Sequence, residues 1–406
     1  MPFIEVSPIS NNYRGNDDLA MRRVYLDNNA TTCLDSEVLE HMLPYMRESY
    51  GNPSSIHWLG DEATAAMTLA RKELASVLGC YPSELAFTSG GTEADNMAII
   101  GGMKASGRKG RVITSSVEHS AVLDVCHALH EEGHPLTVLP VDDGGLVDPE
   151  DLEKAMDDDV VLVSIMAANN VVGTIQPLKE LIEISHAHGA LFHTDAVQGF
   201  CRMPLDLRTL KVDMLSVSAH KIHGPKGVGA LFIREGTPVA PLTFGGGQEG
   251  GMRPSTENVP GIVGLGKAAL AAYARMDEAN RLMASLRDRL VDEMLKIDDT
   301  HLNGHRSPRL ANNAHFRIDG VNGTGLVLKL SDLGIAASTA SACSASSPSP
   351  SHVLTAMGLT WDQAESSLRL GLSHHTTDED VDYVLEKLPA AISTLRKGKR
   401  FNPTTA

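Results

Sequence analysis

Ser218-Ala219-His220-Lys221-Ile222-His223-Gly224-Pro225-Lys226-Gly227 is the stretch on which the reading of this chain turns. The small and apolar run Met214 to Ser218 predicts a buried strand. It delivers a serine, a histidine and a lysine into a Gly/Pro turn, before a second strand over Gly229 to Ile233. A lysine set directly after a buried strand is costly unless something uses it. Schiff-base chemistry uses such an amine, which must lose its proton to attack an aldehyde. A solvated loop lysine is the plainer alternative, and Lys226 fits that description.

Working outward, His193-Thr194-Asp195-Ala196-Val197-Gln198 closes an apolar strand start (Leu191, Phe192) on a carboxylate. Asp195 there suits a pyridinium nitrogen, and a magnesium ligand or a helix N-cap are the other readings. Thr88-Ser89-Gly90-Gly91-Thr92-Glu93 ends a strand, places two glycines and opens a helix whose first N–H groups receive an anion. Alone it reads as an ordinary βα turn with a capped helix. Anion turn, strand-end Asp and later strand-end Lys, in this order, describe a pyridoxal 5'-phosphate (PLP) site of the aspartate-aminotransferase fold type.

The rest of the chain suits that architecture. Strand and helix signals alternate from about residue 60 to 235, which predicts an α/β domain with a mostly parallel sheet. Predicted helices are Arg71 to Leu78, Thr92 to Ile100, Ser120 to Glu132, Leu178 to His188, Gly264 to Lys296 and Asp378 to Arg396. Predicted strands are Leu85 to Thr88, Arg111 to Ser115, Val160 to Met166, Leu191 to Thr194, Ala314 to Ile318 and Ser367 to Leu370. The expected division is a large PLP-binding domain over 35–275, and a smaller α+β domain from 1–34 and 276–406.

Composition narrows the function. The 406 residues carry a formal net charge of −16, which argues against a sequence-independent grip on nucleic acid. No apolar run reaches the length of a membrane span and the first residues lack a signal-peptide core, so a cytoplasmic protein is expected. The five cysteines are scattered and odd in number, which argues against a disulfide framework or a zinc ribbon. His186, His188 and His193 and the pair His374-His375 match no zinc spacing, and no metal is expected.

The chain resembles the cysteine desulfurases of the NifS/IscS type, within the class V aminotransferase superfamily, from about Val24 to Leu395. The resemblance is carried by YLDNNATT (25–32), GNPSSIH (51–57), FTSGGTEADN (87–96), VEHSAV (117–122), HTDAVQ (193–198), SAHKIHGPKGVGAL (218–231), STASACSAS (338–346), PSHVL (350–354) and SLRLGLS (367–373). It implies the PLP-dependent transferase fold type I, with a mostly parallel seven-stranded sheet, and an enzyme converting L-cysteine to L-alanine.

Residue by residue, the resemblance implies that Lys221 carries the cofactor as a Schiff base. Asp195 pairs with the pyridine nitrogen, Gln198 with the ring's phenolic oxygen, and His119 stacks on the ring as an acid/base group. Gly91 belongs to the phosphate turn, where Thr92, Ser218 and His220 hold the phosphate, and Thr256 reaches the phosphate of the other subunit of a homodimer. Asn170 and Arg369 clamp the substrate carboxylate. Cys343 accepts the sulfur as a persulfide, for an iron–sulfur scaffold or another acceptor protein. Its Ser/Ala-rich surroundings, Ala337 to Ser351, predict a mobile exposed loop. Selenocysteine lyase, and a weakly active sulfur-relay partner, are the alternatives.

The chain departs from the family pattern at four places. Val171 replaces a Glu, Ser255 a Gly, Gly250 an Arg and Cys33 a Pro. Cys33 is expected to be a bystander near the site.

Overall fold

The computed structural model describes residues 22–339 and 350–399. Its centre is a seven-stranded sheet built from β2 (Leu85–Thr88), β3 (Arg111–Ser115), β4 (Leu136–Leu139), β5 (Val160–Ser164), β6 (Leu191–Asp195), β7 (Met214–Ser218) and β8 (Gly229–Ile233). The spatial order is β2-β8-β7-β6-β5-β3-β4. The run from β7 to β4 is parallel, while β8 is antiparallel to both β2 and β7. The expected mostly parallel sheet is therefore present. β5 and β7 are buried along their whole length, as strands covered on both faces must be.

Helices cover both faces. α1 (Ser36–Arg47), α2 (Trp58–Leu78) and α7 (Val259–Met294) share a core with Phe87, Phe192 and Val217. α3 (Gly91–Ala105) and α4 (Ser120–Glu131) share another with Ala86, Val112 and Leu162. α5 (Pro149–Ala155) and α6 (Leu178–Ala187) complete the βα units. Strand, helix and returning parallel strand put the loops that carry chemistry at the carboxyl edge of the sheet.

A separate apolar cluster surrounds Phe316, Leu368 and Leu388. It packs an antiparallel sheet of β12 (Ser367–Gly371), β10 (Asn313–Ile318) and β9 (Thr300–Leu302), and a parallel pair of β1 (Val24–Tyr25) with β11 (Ile335–Ala336). α8 (Gly323–Asp332), α9 (His352–Ala356), α10 (Trp361–Glu365) and α11 (Asp378–Lys399) belong to this half of the chain. α7 runs unbroken through position 275, the boundary expected from the sequence. Among the described residues, no helix is long and apolar enough to cross a membrane.

Candidate active site

The carboxyl ends of the parallel strands open on a cavity of about 460 Å³. β6 ends on Asp195 and β7 on Ser218, and the one-turn helix Ala219–Lys221 follows directly. A strand that stops at the sheet edge and tightens into a turn projects its last side chains into that cavity. Gly91, Thr92, His119, Asn170, Asp195, Gln198, Ser218, His220, Lys221 and Arg369, all singled out from the sequence, line it together.

Lys221 Nζ donates to the carbonyls of Asn29 (2.6 Å) and Ala30 (2.7 Å). Its own carbonyl accepts from Arg202 at 2.6 Å. Asp195 is 7% exposed and accepts the Val197 amide at 2.8 Å. Burial raises its pKa, against the pull of His119, the Val197 amide and Lys221. A cationic N–H set against this carboxylate would stabilise its charged form.

At the other end of the cavity, α3 begins at Gly91. A Cβ there would meet Val197 Cγ2 at 2.7 Å, so only glycine lets this helix start so close to the 195–198 segment. The first turn of α3, Thr92, Ser218 and His220 surround the same space. His220 has its pKa pushed to about 4, by burial first and then by Lys221, Lys226 and Arg202. It is therefore neutral at pH 7, with Nδ1 3.1 Å from the Thr31 hydroxyl. A helix N-terminus with hydroxyls and a neutral imidazole at one end, a buried carboxylate at the other and an amine between them fit a phosphorylated pyridine aldehyde.

His119 caps α4, and its Nδ1 accepts the Ala121 amide at 3.1 Å. In the neutral ring the proton therefore sits on Nε2. Gln198 donates through Nε2 to Asn29 O at 2.9 Å and accepts from Arg202 at 3.0 Å, which leaves its amide a second N–H.

Arg369, on β12, is 3% exposed. It donates to Asp27 at 3.0 Å and to the Asn170 carbonyl at 3.1 Å, and among the described residues its Nε has no acceptor. A buried guanidinium with an unpaired N–H favours an anion, since such a donor costs about 1–3 kcal/mol unsatisfied.

Two expected residues stand apart. Thr256 lines a different recess, with Glu93, Arg253 and Ser255. Cys343 lies outside the described residues. Val171, in place of Glu, is 3% exposed and packs in an apolar cluster with Val117, Val353 and Met357. Side-chain logic missed Asn29, because its carbonyl does the holding, and Arg202, which lies outside every motif. It also passed over two buried acids. Burial raises the pKa of Asp95, with Asp195 adding to the effect, and pushes that of Glu118 to about 8.

The aminotransferase class-V family model matches residues 24–384. A cysteine desulfurase IscS of Methanosarcina thermophila is 51% identical over 383 residues, 94% of this chain and 95% of that one. Another from Dictyoglomus turgidum is 49% identical over 377 residues, 92% of this chain and 96% of that one. Among solved structures, a NifS-like protein superposes with a TM-score of 0.87 at 42% identity, covering 92% of this chain and 100% of that chain.

Proposed function

The chain belongs to the aminotransferase class-V family and is a cysteine desulfurase, and on that premise we propose that L-cysteine reacts in this cavity with PLP held by Lys221, its sulfur passing to Cys343. The observation that carries the reading is the convergence of Lys221, Asp195, the start of α3 and Arg369 on one cavity. PLP supplies an electron sink for the substrate's α-carbon.

The chain supplies the rest. Thr92, Ser218, His220 and the N–H groups of α3 suit the phosphate, and Asp195 suits the ring nitrogen. Gln198 has an N–H left that would reach the ring oxygen, and His119, which lines the same cavity, would stack on the ring. Thr256 completes the phosphate site of the other subunit in a homodimer. Arg369 and Asn170 take the substrate carboxylate, where a planar guanidinium fork matches two oxygens. Lys221 moves the α-proton.

In the sulfur step the Cys343 thiolate attacks the substrate sulfur. The Cβ–S bond breaks, an S–S bond forms, and the substrate carbon takes a proton to become alanine. The persulfide sulfur is oxidised as the carbon is reduced, so no outside oxidant is needed. The described residues flanking 340–349 favour this role. Ser338 pairs with Arg369 through both backbone bonds (3.3 and 2.7 Å), and Pro350 lines the cavity. An iron–sulfur scaffold or another sulfur acceptor would then collect the persulfide.

The test is turnover of L-cysteine by purified protein with a dithiol, quantifying alanine and sulfide. Wild type releases the two in equal amounts, and Cys343→Ala lowers both by at least about 100-fold. Undiminished alanine from the variant would defeat the persulfide route. A variant that remains fast on selenocysteine would mark a lyase instead.

A further inference from the structure

The sequence offers the pair His374-His375 no partner at a metal-binding spacing, but the fold does. Beyond β12, His374 and His375 pack against the segment that enters α1 and the turn that follows Lys221. One donor atom each from Cys33, Asp35, His223 and His375 lies within 4.8 Å of all the others. Cys33 Sγ is 3.5 Å from His223 Nδ1, which is 3.6 Å from Asp35 Oδ1. His375 Nε2 is 3.1 Å from that same oxygen. A tetrahedral ion with bonds of about 2.0–2.3 Å spaces its ligands about 3.3–3.7 Å apart. Three of the donor pairs are already near that spacing.

We propose that Cys33, Asp35, His223 and His375 form a binding site for one zinc-class divalent ion beside the catalytic cavity.

The donor set is one thiolate, one carboxylate and two imidazoles, a mixture that zinc accepts in tetrahedral geometry. The two anionic ligands neutralise the ion's charge. Asp35 and His223 are buried, while Cys33 and His375 are exposed, so the site has a fixed floor and an entry path. His223 Nδ1 lies 3.1 Å from the Cys33 carbonyl, a hydrogen bond that ligation at Nδ1 replaces as the proton moves to Nε2.

A supporting layer holds the ligands. Arg275 of α7 donates to Asp35 Oδ2 at 2.6 Å, leaving Oδ1 to the ion. It also donates to His374 Nε2 at 2.9 Å, which occupies that nitrogen. Such contacts orient metal ligands in the way hydrogen-bonded carboxylates do elsewhere. His223, held at φ +64°, is clamped by its amide on the Thr32 hydroxyl (2.8 Å) and its carbonyl on the Asp35 amide (3.0 Å). Cys33 stands where the resembling family has Pro, so the site is a property of this chain. An ion there would rivet the segment after Ala30, the turn after Lys221 and the strand that carries Arg369.

The experiment uses tag-free, cofactor-loaded protein. It is dialysed with zinc and then against a weak chelator, and metal is counted by mass spectrometry. Cobalt replaces zinc in a parallel sample, whose tetrahedral ligand-field bands lie in the red, clear of the yellow cofactor. We expect about one ion per chain, a higher Tm with zinc, and zinc binding weakened at least about 100-fold in Cys33→Ser and His375→Ala. Both positions are exposed, and unchanged circular dichroism without metal confirms that the variants fold. Cys343→Ser keeps the ion. No ion retained by folded wild type overturns the proposal. So does an ion that survives in the two site variants, or one that is lost with Cys343→Ser.

Discussion

Ser255 holds its backbone at φ +100°, a region in which a Cβ is strained, and it stands where the resembling family has Gly. Its amide bonds Gln248 Oε1 at 3.2 Å, a contact that glycine would keep. Ser255→Gly is therefore expected to raise stability by about 1 kcal/mol, strain relief exceeding the entropy that glycine adds to the unfolded chain. A lower melting temperature in the variant would show that the Ser255 side chain earns its place. The residue scale was also where the sequence read best and worst. Ten of the named residues line one cavity, because most of them sit in short motifs whose residue types announce chemistry. Asn29 acts through a carbonyl that every residue possesses. Cys33, Asp35, His223 and His375 declare a common purpose only when three distant segments meet.

Among the elements, α7 sets the spacing on one side of the sheet. Gly266 faces α2 so closely that a Cβ would lie 2.9 Å from Ala70 Cα, and Glu73 is paired with Lys267 beside it. Gly266→Val must push the two helices apart, and should cost about 2–3 kcal/mol in urea unfolding. A loss below about 0.5 kcal/mol would mean that the helices separate freely. The elements left out of the sequence reading have physical reasons for their silence. β4 lies at the sheet edge with a single buried residue, Leu139, so its pattern is weak. α1 contains Pro44, a residue that normally argues against a helix interior. α2 extends from Trp58, well before the predicted Arg71, because its first half is alanine-rich and carries few large apolar residues to reveal a face.

For the molecule as a whole, pH acts on buried groups in opposite directions. His193 lies between the hydroxyls of Ser164 (2.8 Å) and Ser216 (3.0 Å), and burial pushes its pKa from 6.5 to about 3. Between those values the unfolded chain binds the extra proton, so stability is lost as pH falls. Glu118 is pushed by burial from 4.5 to about 8, although the Ser115 hydroxyl and the Met166 amide favour its charge. Here the folded chain holds the extra proton, and stability is lost as pH rises. Each effect is on the order of 1 kcal/mol per pH unit, and the two cancel between 4.5 and 6.5. Urea midpoints from about pH 4 to about pH 8 should show His193→Gln flattening the acid-side loss and Glu118→Gln the alkaline-side loss. Slopes unchanged in both variants would assign the pH response to other groups. The molecular scale also sets a timetable. Asp27 meets Arg369 across 342 positions, Leu26 donates to the Ala336 carbonyl at 2.8 Å, and the Leu26 carbonyl accepts the Gly371 amide at 2.7 Å. A ribosome adding about 5–20 residues per second needs about 20–70 s to make that stretch. For that long the YLDNNATT segment of a nascent chain waits for the partners that will seat Asn29 against Lys221. Every copy thus passes through a period in which its large sheet can fold while its catalytic pocket still lacks a wall.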